Sequence, residues 1–197
     1  MGMVLVLKRA SDEDQARLHA CPKAIHRFVS DDEDDGDADL GDAGGWLARL
    51  LQPFKKPEPK ASDVVFDSYA FDDEFDADKA WHGLYFLLTG TAYEGAAPPR
   101  YLLNAPPIGK EDVGYGPAMS ISANQTAELS RHLNGLDRGA VLARFDAKRM
   151  TELDIYPDIW EESEIELKDY LGGGFDGLKA YCQKCADHGL GMLSYII

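Results

Sequence analysis

Apolar side chains recur along this chain in two periods, and the period assigns most elements. Val4, Leu5, Val6 and Leu7 form a short run of strand-forming residues, which predicts a buried strand over residues 3–8. Ser11 followed three residues later by Asp14 is an acidic variant of the capping box, so a helix is expected to about Ala20. Pro22 suits the first turn of a further short helix, whose apolar face is Ile25, Phe28 and Val29.

The densest pattern lies in the middle of the chain. In residues 78–88 Trp81, Leu84, Tyr85 and Leu88 form one stripe, and Phe86 and Leu87 make most of the remaining circumference apolar. A helix greasy almost all round is covered on more than one side. Asp72, Asp73, Glu74, Asp76 and Asp78 load its N-terminal side with negative charge, and Gly90 suits the left-handed position after its end. Residues 101–103 read as a short strand. Ser122 with Gln125 is a full capping box opening a helix that carries Leu129 and Leu133 to Asn134-Gly135. Val141, Leu142 and Phe145 mark another, and Asp146 caps a short helix through Met150 and Leu153 that ends at Tyr156-Pro157. Residues 165–171 read as helix, and Gly172, Gly173 and Gly174 as a break. A last helix through Leu178, Tyr181, Cys182, Cys185 and Ala186 stops at Gly189, and residues 192–197 form a terminal strand. Strands at both ends with helices between predict an α+β fold: a single compact helix-rich domain with a small sheet that includes the N- and C-terminal strands.

At 197 residues and 45% hydrophobic, the chain is long enough for one good-sized core and needs no second domain. Residues 31–42, DDEDDGDADLGD, change the picture locally, because eight of the twelve are acidic and none is basic. Repulsion at that density opposes compaction. With the following short helix at 46–51 and Pro53, Pro57 and Pro59, residues 31–63 read as a surface insertion in a domain spanning 1–197. The whole chain carries 35 acidic and 20 basic residues, a net charge of -15, which repels nucleic acid and anionic lipid. The favoured partner is therefore a basic protein. No apolar run approaches the roughly 18 residues of a membrane span, the apolar stretch at 3–7 has neither the basic flank nor the cleavage site of a signal peptide, and Val6 stands where a myristoylation motif has Ser or Thr. Three cysteines without a disulfide framework fit a reducing compartment, so a cytoplasmic location is expected.

Motif-like stretches each have a plainer reading. Cys182-x-x-Cys185 lies on the buried stripe of its helix and lacks a second ligand pair for zinc. Gly172-x-Gly174-x-x-Gly177 has the spelling of a dinucleotide loop, but a helix precedes it where a strand is required. Asp31, Glu33, Asp35, Asp37 and Asp42 fall on ligand positions of a calcium-binding helix-loop-helix, with Gly36 at the turn. Against it, position 12 is Asp in place of Glu and the central aliphatic is replaced by Ala38. No nucleophile elbow, P-loop or zinc-protease motif is present, and no catalytic residue, cofactor or metal is assigned.

The remaining distinctive stretches are MGMVLVLKRAS, DKAWHGLYFLLTG, EDVGYGPAMSISANQTAEL, RFDAKRMTELDIYPDIW and the glycine-ended last helix with its strand. Together they resemble the YfbM-like family of bacterial proteins. The resemblance implies a compact α+β domain and brings with it no activity and no catalytic residues. Two departures stand out: the insertion at 31–63 is longer than in the family pattern, and some relatives keep the W-x-x-L core of Trp81 to Leu84 without a histidine at the place of His82.

Three functions are compatible with these residues. The first is a non-catalytic acidic binding module, inhibitor- or immunity-like, acting on a basic partner. The alternative is a small-molecule pocket, with or without catalysis, requiring Trp81, His82, Tyr115, Tyr156, Asp158 and Trp160 to converge on a cavity. The third is calcium-dependent regulation through Asp31 to Asp42. His82 itself is open to a structural, a pocket-lining or a catalytic role.

Overall fold

A computed structural model describes residues 2–29, 60–67 and 73–197. The expected insertion at 31–63, including the short helix at 46–51, lies outside the described residues except for its end, where Ala61–Asp63 form one turn of 3-10 helix.

The order of elements is β1 (Leu5–Ala10), α1 (Asp12–Ala20), a 3-10 turn at Pro22–Ala24, α2 (Ile25–Val29), β2 (Glu74–Asp76), α3 (Trp81–Thr89), α4 (Tyr101–Asn104), β3 (Met119–Ile121), α5 (Ala123–Asn134), α6 (Arg138–Leu142), α7 (Ala147–Glu152), α8 (Glu164–Asp187) and β4 (Gly191–Ile196). It is an α+β fold, helix-rich, with one antiparallel sheet in the order β2-β1-β4-β3. The first and last strands are central, pairing from Leu5 with Ile196 to Ala10 with Gly191.

Strand alternation divides the core between the two faces of the sheet. Leu5, Leu7 and Met192 pack with α3, α5 and α8, whereas Val6, Ala10, Leu193 and Tyr195 pack with Leu18, Ile25, Phe28 and Ile108. A sheet covered on both faces explains why β1 reads as a continuous apolar run. On α3, every residue from Trp81 to Leu88 is buried. Each such large apolar side chain stabilises the fold by about 1.5–3 kcal/mol, an upper figure because denatured chains already bury some surface.

Local chemistry sets the helix starts. The Ser11 hydroxyl accepts from the Asp14 backbone at 3.0 Å, Ser122 and Gln125 form the reciprocal capping box, and Asp146 accepts from Arg149 N–H at 2.9 Å. Gly90, at φ 76°, ends α3 as expected.

Three expectations are corrected. Residues 101–103 are not a strand: Tyr101–Asn104 is one helical turn, started by Pro98 and Pro99, with Leu102 as its buried side chain. A three-residue apolar run has no period to read, and prolines at a first turn favour helix. The acidic run ahead of α3 includes a strand, Glu74–Asp76, that pairs with Val6 to Lys8. Lastly, Gly172, Gly173 and Gly174 do not break the chain, because α8 runs unbroken through them for 24 residues. Apart from Gly173, near which nothing lies within 4 Å, their role is close approach. A Cβ on Gly174 would stand 2.9 Å from Leu84 Cδ1, and one on Gly177 would stand 2.7 Å from Phe75 Cε2. The helix comes nearer to α3 and β2 than alanine allows, and that packing offsets a propensity cost of roughly 1 kcal/mol per glycine.

Candidate functional site

Four of the six residues expected to converge do meet. His82 is wholly buried on α3. Its ring stacks on that of Trp81, centroids 4.6 Å apart and planes 9° apart, and Tyr93 lies 4.8 Å away on a tilted plane. Tyr156 stacks beyond Trp81 at 6.2 Å. Trp160 reaches the same helix one residue on, where a Cβ on Gly83 would stand 2.6 Å from its ring. Gly83 is the gap that admits the indole.

The polar atoms of this cluster are spent on the backbone. Tyr156 N–H donates to His82 Nδ1 at 2.9 Å, and His82 Nε2 lies 2.8 Å from the Ala92 carbonyl. An amide N–H can only donate and a carbonyl can only accept, so the ring is the neutral tautomer with its proton on Nε2. Burial holds its pKa below the ordinary value, partly offset by donation to Ala92. Trp81 Nε1–H donates to Met3 O at 3.1 Å, Met3 N–H donates to Tyr156 Oη at 3.1 Å, and Trp160 Nε1–H donates to Ile155 O at 2.5 Å. The cluster thus ties the N-terminal segment, α3, the loop after it and the 155–160 loop into one unit.

The other two lie apart from this cluster. Tyr115 is 59% exposed on a loop whose glycine amides, Gly114 N–H and Gly116 N–H, both donate to Asp112, while its own N–H donates to Ile196 O. Asp158 is exposed in the loop before α8. Among the described residues, surface cavities of about 310, 390 and 350 Å3 are lined by none of the six. Asp31, Glu33, Asp35, Asp37 and Asp42 lie outside the described residues, among which no three His, Cys, Asp or Glu side chains gather as a metal site. Cys182 and Cys185 are buried in the face of α8, which raises both thiol pKa values, that of Cys185 to about 11.

A second feature comes from residues not singled out by motif. Residues 154–169 carry seven carboxylates against one lysine. Asp154, Asp158, Glu161, Glu162, Glu166 and Asp169 are exposed, and no described cation lies within 4.0 Å of any of them. Several carboxylates elsewhere are paired: Asp73 with Lys184 at 2.7 Å, Asp14 with Arg17 at 2.7 Å and Asp176 with Arg138 at 3.0 Å. In the middle of this acidic run Ile165 is 83% exposed. The cavity of about 310 Å3 beside it is lined by Arg138 and Leu142 of α6 and by Ile165, Glu166, Lys168 and Asp169 of α8. An apolar residue flanked by acids on a helix is the sequence signal that marks this face.

Fold and site together define a helix-rich α+β domain in which the aromatic residues around His82 are internal fittings and the carboxylates of residues 154–169 are exposed. The chain belongs to the family described as Domain of unknown function (DUF1877), whose model matches residues 1–195. It is 31% identical over 124 residues to Protein YfbM of Escherichia coli (strain K12), a stretch covering 61% of this chain and 71% of that relative. The crystal structure of a protein of unknown function, YfbM from Escherichia coli, shares the fold with a TM-score of 0.62 at 19% identity, over 98% of this chain and 99% of that one. Among the described residues no helix is long and apolar enough to cross a membrane.

Proposed function

We propose that this protein is a non-catalytic acidic binding module that engages a basic protein partner through the face formed by residues 154–169. One observation carries the reading: along that stretch six carboxylates stand exposed with no described cation within 4.0 Å, and an exposed isoleucine shares a cavity with two of them, Glu166 and Asp169. Such a face raises the encounter rate with a basic surface, and the apolar centre supplies contact area that charge alone lacks. The arrangement at His82 favours a structural role there, since both ring nitrogens already hold backbone partners.

The test is a titration of the protein with arginine- and lysine-rich peptides at low and high salt, alongside a variant with Glu161, Glu162 and Glu166 changed to Lys. Binding that weakens with salt and is lost in the variant supports the reading. Absence of binding to every basic peptide at low salt, or equal binding by the variant, overturns it.

A further inference from the structure

Arg138 shows how α8 receives a guanidinium. Its side chain crosses from α6 and lies against α8 at Gly172, where any Cβ would run into it, and its Nε–H donates to Asp176 Oδ2 at 3.0 Å. Gly172 and Asp176 are four residues apart, hence neighbours on one face of the helix. Seven residues earlier, two turns toward the N-terminus and within about 20° of the same face, the chain places Ile165 and Asp169. The same spacing recurs, with isoleucine in the place of Gly172.

At this second position no described cation lies within 4.0 Å of Asp169. The nearby lysine is engaged otherwise: Lys168 Nζ is 2.6 Å from Glu164 and lies over the Phe145 ring at 5.6 Å. Glu164 and Glu166 belong to the first turn of α8, where the helix dipole favours negative charge. Asp169 lies beyond that turn, so the dipole does not account for it. Leu142 floors the groove and Ile165 forms its apolar lip.

Building on the binding reading above, we infer that the groove between α6 and α8 is the docking site for one arginine of the basic partner. Its aliphatic stem lies along Ile165 and Leu142, and its guanidinium pairs with Asp169, flanked by Glu166. An arginine carries both an apolar stem and a planar charged fork, which matches an apolar lip beside a carboxylate better than a compact ammonium does. The incoming residue would sit beside Arg138 and repeat its pairing with a carboxylate of the helix, while Ile165, which bears the Cβ that Gly172 lacks, packs against its stem.

The probe is an unstructured arginine-containing peptide, with a counterpart whose arginines are replaced by neutral citrulline. The wild-type protein binds the first and not the second. Ile165→Ser and Asp169→Asn each weaken binding by roughly fivefold to tenfold, whereas Glu13→Gln on α1 leaves it unchanged. At high salt the Asp169→Asn difference shrinks while the Ile165→Ser difference persists, because screening acts on charge and not on apolar contact. Both substitutions are on the surface, and circular dichroism verifies the fold. If the wild type binds the arginine peptide and the two variants bind equally well, the groove assignment is overturned while the acidic-face reading stands. If the wild type binds no basic peptide, both fall together.

Discussion

Tyr156 donates its backbone N–H to Nδ1 of His82, a bond of 2.9 Å between residues 74 positions apart. It fixes the imidazole as neutral, because a proton on Nδ1 would set donor against donor in a site without water access. The chemistry of the histidine is thereby used to join a loop to the central helix.

Stability should therefore fall in mild acid. The folded pKa of His82 lies below the ordinary 6.5, so the unfolded chain binds the extra proton first. The contribution is complete above about pH 6.5 and is lost as pH falls from there through the folded pKa. Half-buried His132 shifts in the same direction, through partial desolvation and then the nearby Arg144. Urea unfolding at a series of pH values measures the slope, which should flatten in His82→Gln. An unchanged slope would show that the ring protonates without cost. His82→Ala, which orphans two backbone groups and opens a cavity, should cost roughly 2–4 kcal/mol.

Two helical glycines should respond oppositely to alanine. At Gly83 the new methyl meets Trp160 and Leu171 Cδ2, the latter at 2.9 Å, and overpacking should destabilise by roughly 1–3 kcal/mol. At Gly173 nothing lies within 4 Å, so Gly173→Ala should stabilise by up to about 1 kcal/mol through helix propensity. Thermal unfolding of both variants decides the matter, and equal shifts would refute the close-packing account.

Cys182 and Cys185 should resist modification in the native state. Both are buried with raised thiol pKa values, so little thiolate is present or reachable near neutral pH. Alkylation followed by peptide mass mapping should label these two only after denaturation. Prompt native labelling would point to an α8 that opens readily.

Ser122→Ala should lose about 1 kcal/mol, the typical worth of a helix N-cap, since Ser122 accepts from Gln125 N–H and Gln125 returns the bond. Denaturant midpoints of Ser122→Ala and Ser122→Asp would separate the cap from a mere change of side chain: aspartate should recover most of the loss.

What the sequence made legible was local. Ser11, Ser122 and Asp146 act within three residues of themselves, and the stripe of α3 is periodic enough to read. Contacts set by distant partners were hidden. His82 is ambiguous until Ala92 and Tyr156 are placed beside it, ten and 74 positions away. Gly172 to Gly174 read as a break because propensity counts glycine as a helix breaker, while the reasons for Gly172, Gly174 and the later Gly177 sit on Arg138, Leu84 and Phe75. The three-residue strands Glu74–Asp76 and Met119–Ile121 are too short to show alternation and exist through pairing with β1 and β4. On the acidic face, charge was visible as a total. The acids beside Ile165 could be read there, whereas the exposure of that isoleucine and the cavity next to it emerged only with the packing of α8 on α6.

Joining β1 to β4 couples the two ends of the chain. Leu5 must wait for Ile196, so the middle of the sheet closes over a loop almost as long as the chain, and a nascent polypeptide stopped before Gly191 would leave β1 with one short neighbour and an open edge. Such an edge is the place where two unfinished copies would stick to each other.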